Sequence, residues 1–180
     1  RLEEVWNAVK PDYVAELQKY DVAKMSEDLE FIWRYVRMPR REARTMVSVP
    51  NLLDRHFSAG SVGCGKYFVS VEGPGSHDYR LNAHEYLHEI VNPAVGRWQK
   101  DYLDRLQPYF DRWQKHPAHR GYETQQSYVQ ECLVKALEAR VSVKLRPEIR
   151  SRKTAQVAQY VKSGFELTGI FYENLADFET

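Results

Sequence analysis

Apolar residues recur along most of this chain at helical spacing, and at strand spacing only in one short central stretch. Over residues 2–37 two helices are predicted. Val5, Trp6 and Val9 share one face, Pro11 and Asp12 restart the pattern with Val14, Leu17 and Tyr20, and a second run carries Leu29, Ile32, Trp33 and Val36. That second run ends before Met38-Pro39, because a residue preceding proline avoids the helical region. The texture then changes. Met46–Val49 is a short strand candidate, and 58–65, with three glycines, reads as a flexible loop. The aromatic and β-branched run 66–72 reads as a strand, stopped by Gly73-Pro74-Gly75.

Downstream the pattern is helical again. A helix is expected around 81–91, with Asp78 or Ser76 as cap, Leu81, Leu87, Ile90 and Val91 for packing, and Asn92-Pro93 as its end. Residues 95–107 follow with Trp98, Tyr102 and Leu103, and Pro108 is expected to kink or restart the element. A long helix over about 122–145 places Val129, Cys132, Leu133, Ala136, Leu137 and Val141 on one side, and Pro147 breaks it. Two final helices are expected near 152–163 and 165–178, separated at Ser163-Gly164. The fold class is therefore α+β and predominantly helical, read as one domain over 1–180.

Composition bounds the function classes. A formal charge of +1 gives no electrostatic case for nucleic acid, and the arginines at 37, 40, 41 and 44 read as a solvated linker beside acidic residues. No apolar run is long enough to span a membrane. The start at Arg1 reads as a trimmed or processed product, so the compartment stays open. Cys64 and Cys132 are too few for a disulfide framework, though one bridge or two free thiols both remain open. The glycines at 60, 63 and 65 match neither the dinucleotide nor the P-loop pattern.

The chemistry concentrates in His84-Glu85-Tyr86-Leu87-His88. On a helix, residues four apart sit one above the other, so both imidazoles reach one zinc ion. Glu85, beside the first, is then placed to hold and deprotonate a water. A catalytic zinc site takes three protein ligands and keeps a fourth position open. The extended metzincin pattern, with a third histidine and a glycine shortly after, is excluded by Glu89-Ile90-Val91-Asn92-Pro93. A glutamate from the 122–145 helix is the alternative. Glu131 and Glu138, seven residues apart, lie on one face beside the apolar stripe, and Glu131 is preferred as the ligand. Glu138 would pair with Arg140 or Lys135. Cys64 is a minor ligand candidate, and Cys132 reads as core.

With that helix pair in view, the chain resembles a gluzincin, the zincin-like group in which an H-E-x-x-H helix is followed by a glutamate helix. More narrowly, His84–His88 running on to Asn92-Pro93 resembles uncharacterised bacterial peptidase-like families with an H-E-[FY]-x-H and N-P core. The resemblance covers about residues 45–145. It implies a zinc-dependent peptidase with Zn2+ on His84, His88 and Glu131, Glu85 as general base, and a peptide or protein substrate. It also implies that the 66–72 strand is the edge of a small sheet along which substrate lies. One departure stands out: gluzincins often carry an acid one turn after the glutamate ligand to orient a histidine, and Lys135 stands there. Glu89, Glu138 or a backbone carbonyl would have to orient it instead. Tyr128, His119, Tyr122, Tyr160 and Tyr172 are the candidate donors to an oxyanion. Two other readings compete: a helical binding or scaffold domain with a structural or vestigial zinc site, and a zinc hydrolase acting on a non-peptide amide.

Overall fold

The computed structural model describes residues 1–39, 44–77 and 79–179, with side chains apart from those of 79–82, 99–101 and 103. Arg40, Arg41 and Asp78 of the sequence reading lie outside the described residues. In chain order the elements are α1 (Leu2–Leu17), α2 (Val22–Tyr35), β1 (Thr45–Pro50), β2 (Ala59–Cys64), β3 (Tyr67–Glu72), α3 (Tyr79–Gln114), α4 (Gln125–Leu145), a short 3-10 turn, α5 (Arg150–Lys162) and α6 (Glu166–Phe178). This is an α+β chain, mostly helical, with one small mixed sheet. It clusters into two compact units, Arg1–Tyr86 and Leu87–Thr180, and α3 starts in the first and continues into the second.

In the first unit, β3 is the middle strand. It pairs parallel with β1 and antiparallel with β2, in the order β1-β3-β2. The expectation of an edge strand at 66–72 is therefore wrong. The glycine-rich stretch read as a loop is itself a strand, β2, and it forms one edge of the sheet. Glycine and serine carry little intrinsic strand preference, so the pairing to β3 decides this segment's state rather than its own side chains. Gly65, at φ 56°, makes the tight turn between the two strands, with Cys64 opposite Tyr67. Along β3 burial alternates, with Phe68, Ser70 and Glu72 buried on one face.

Two contacts, one from α1 and one from the turn that follows it, brace the segment that leads into α3. Tyr20 donates to the Glu72 carboxylate at 2.9 Å, and the Gly75 N–H donates to buried Glu16 at 3.1 Å. Glu16 is also ion-paired with Lys19 at 2.6 Å. Tyr86, fully buried, meets Phe68 edge to face at 5.6 Å and accepts a hydrogen bond from the Trp33 indole. The motif's own aromatic residue thus anchors the helix start in this unit's core.

α3 does not stop at Asn92-Pro93. It runs through both Pro93 and Pro108 to Gln114. An interior proline costs roughly 3 kcal/mol through a lost N–H bond and a ring clash. The buried side chains of Val91 and Val95 on either side of Pro93 offset that cost. Pro11 is likewise spanned by α1 rather than restarting it.

The second unit is helical. α4 is capped by Thr124 and Ser127 in a reciprocal capping box and is buried on most of its faces, including at Glu131 and Glu138. Around Tyr128 an aromatic cluster forms the core: Trp113 lies 4.4 Å from Phe165 and 5.6 Å from Tyr128, ring centre to ring centre. The Tyr128 hydroxyl donates to the Gly164 carbonyl at 3.0 Å. Gly164 sits at φ 93°, and a Cβ there would lie 2.9 Å from both Trp113 and His116, so only glycine fits.

Candidate metal centre

His84 and His88 stand one turn apart on α3, as the spacing requires. The turns between them carry the packing: Ala83, Tyr86, Leu87 and Val91 are buried, while His84, Glu85 and His88 are only partly covered. Burial of the first set fixes the rotation of the helix about its axis, and so aims the second set. Glu131 reaches the same point from α4. One ligand atom from each of His84, His88 and Glu131 falls within 4.8 Å of the others.

These three could hold a metal ion. Tetrahedral bonds of about 2.0–2.1 Å give ligand-to-ligand edges of roughly 3.3 Å. His88 Nε2 and Glu131 Oε2 stand 3.3 Å apart, already at that separation. Two imidazoles and one carboxylate form the donor set of catalytic rather than fully closed structural sites.

Asn92, one turn beyond His88, orients the imidazole: His88 Nδ1 lies 3.3 Å from Asn92 Oδ1. With Nδ1 carrying the proton, Nε2 keeps its lone pair on the side facing Glu131. Gln130 of α4 in turn donates to the Asn92 backbone carbonyl at 3.2 Å. The sequence points to Glu89, Glu138 or a carbonyl for this role, and the structure places Asn92 there instead. The signal was present, because an amide four residues after a histidine on a helix lies within its reach.

Glu131 is almost completely buried, and its Oε1 accepts from Lys135, one turn along α4. Glu138 lies elsewhere. Its carboxylate pairs with Lys153 of α5 at 2.8 Å in a buried contact, not with Arg140 or Lys135. Arg140 pairs instead with Glu179, at 3.3 Å.

Glu85 accepts a hydrogen bond from Ser61 of β2 at 2.7 Å. This contact spans 24 residues and fixes one carboxylate oxygen against the sheet edge. Glu72, buried on the inner face of β3, has its carboxyl held above the usual range, chiefly by desolvation, with the Glu85 charge adding to the rise. The neighbouring Ser70, Tyr20 and Ser48 hydroxyls work in the opposite direction, and Tyr20 donates to the carboxylate at 2.9 Å. The strand alternation that buries Phe68 and Ser70 also buries Glu72, so the pattern of this strand carries the signal for a second acid near the site.

The remaining candidates separate by environment. Cys64 is an exposed free thiol at the end of β2. Cys132 is a buried free thiol whose pKa burial pushes up to about 12, which keeps it protonated and a poor metal ligand. Of the proposed oxyanion donors, Tyr128 commits its hydroxyl to the core. The Tyr160 hydroxyl accepts from Gln156 at 2.6 Å, and the Tyr172 ring lies 4.8 Å from the Arg140 guanidinium. His119 packs against Trp113 at 5.3 Å, and Tyr122 against Phe165 at 5.8 Å.

No family model, no curated protein and no solved structure matches this chain.

Proposed function

We propose that the chain is a zinc-dependent peptide-bond hydrolase with a zincin-like arrangement of motif helix and glutamate helix. The observation that carries this reading is the gathering of His84, His88 and Glu131 beside a glutamate, Glu85, that is not itself one of the three. A structural site has no use for that extra carboxylate. Zinc bound there supplies Lewis acidity, which makes a water acidic near neutral pH and polarises a carbonyl. His84, His88 and Glu131 hold it, and Asn92 keeps His88 in the ligating tautomer.

Glu85 moves the proton. With one oxygen held by Ser61, its other oxygen is free to take a proton from the attacking water and pass it to the leaving nitrogen. The substrate is a peptide or protein. An extended peptide would lie along the outer edge of β2, in place of the 66–72 strand, because β2 is an edge of the sheet and an edge strand can recognise main chain of any sequence.

The test is a purified full chain assayed for zinc content and for cleavage of a mixed peptide library, beside the Glu85→Gln variant. One zinc per chain is expected in both, with hydrolysis lost in the variant. A wild type that holds no zinc, or a variant that cleaves as fast, would sink the proposal. Zinc without peptide cleavage would point to the scaffold domain or to another amide substrate.

A further inference from the structure

Lys135 occupies the position where a histidine-orienting acid is common, and its contacts give it a different task. Its ammonium donates to Glu131 Oε1, while Glu131 Oε2 faces His88 Nε2 at 3.3 Å. The lysine is mostly buried, 13% exposed. Its ammonium lies 4.7 Å from the Tyr160 ring centre and 5.0 Å from that of Phe165. Cation–π attraction on two faces and the carboxylate on a third hold the ammonium in place. The two oxygens of Glu131 are therefore not equivalent: one is taken by a fixed cation, and the other is offered to the site.

We infer that Lys135 is a positioning residue and internal counter-ion, which limits Glu131 to one-oxygen coordination and sets how tightly the centre binds its metal. The inference rests on the proposed zinc site. Two consequences follow from the charges. Without metal, Lys135 neutralises a carboxylate that is costly to bury unpaired. With metal, the same ammonium is a like charge beside a divalent cation and opposes its binding. One-oxygen ligation also leaves coordination positions for water and substrate, which a two-oxygen carboxylate would reduce.

The experiment compares the full-length wild type with Lys135→Met and Lys135→Arg, using zinc as the probe. Zinc affinity is read by chelator competition, thermal stability with and without zinc, and the number of zinc neighbours by X-ray absorption. Lys135→Met is expected to bind zinc about tenfold tighter or more, because it removes the like charge. It should lose stability without zinc and regain most of it with zinc, since the metal then neutralises Glu131 in the lysine's place. The first shell should gain an oxygen. Lys135→Arg keeps the like charge beside the metal and should stay within about threefold of wild type in zinc affinity.

A lysine that only packs would lower the metal-free and zinc-loaded stabilities equally and leave affinity unchanged or weaker. That result overturns the inference, as does an unchanged count of zinc neighbours. If Lys135→Met does not fold, Lys135→Gln keeps a donor without the charge and carries the same expectations. A wild type that binds no zinc would instead refute the zinc-site reading itself, so the two failures are distinguishable.

Discussion

The two buried glutamates of α4 are assigned different tasks, and removing each one separately distinguishes them. Glu138 contacts Lys153 at 2.8 Å, with the two side chains 11% and 3% exposed. Glu138→Leu leaves the Lys153 ammonium inside the second unit without a partner. Breaking one side of a buried pair costs about 3–5 kcal/mol, because the surviving charge stays desolvated. With a urea slope of about 1.5 kcal/mol per M for a unit of this size, the midpoint should fall by about 2–3 M. Glu138→Leu combined with Lys153→Met removes both charges and should recover most of that loss, since an apolar pair of similar volume is often neutral or better. Zinc content should be unchanged in both variants. The assay is equilibrium urea unfolding followed by far-UV circular dichroism, with zinc measured on the same samples. Two results would refute the reasoning: a double variant as unstable as the single, or a Glu138→Leu protein of normal stability that has lost its zinc. The second would transfer the ligand role from Glu131 to Glu138.

Asn92→Ala should weaken zinc binding by about tenfold, the low end for losing a partner that orients a ligand histidine, because Asn92 is exposed and water replaces part of the contact; chelator competition measures it, and an unchanged affinity removes Asn92 from the site. Glu16 has its carboxyl held below the usual range, first by Lys19, with the Gly75 N–H and His77 adding and desolvation opposing. The folded chain therefore binds that proton more weakly than the unfolded chain, so its contribution is present above the ordinary value of 4.5 and is lost as pH falls below it. Glu16→Gln should flatten that part of an acid unfolding curve, and a curve parallel to wild type through the same window would contradict it.

The helices and the motif were legible because both depend on short-range periodicity. His84 and His88 share a face whatever surrounds them, since four residues make nearly one helical turn. Glu131 stood out because a carboxylate beside an apolar stripe needs a partner to be buried. Its place near the histidines is what the resemblance to a motif helix followed by a glutamate helix implies.

The sequence also misled in specific places. Proline marked an end at Asn92-Pro93, where packing of Val91 and Val95 carries α3 onward. Glycine marked a loop at 58–65, where β3 supplies a strand's hydrogen bonds to a segment with little preference of its own. In both cases a local propensity worth a few kcal/mol gave way to tertiary contacts that the local pattern does not encode.

The sequence by itself determined that two imidazoles and a carboxylate share a helix, and that two further carboxylates lie beside the apolar stripe of a later one. Only the tertiary structure decided that β3 is central, that Ser61 holds Glu85, that Lys153 pairs with Glu138, and which Glu131 oxygen Lys135 takes. The first set follows from the 1.5 Å rise and 3.6-residue turn of a helix, which any local stretch carries with it. The second depends on which segments pack together, and on the rotamers that packing selects. Those are properties of the assembled core rather than of any stretch within it.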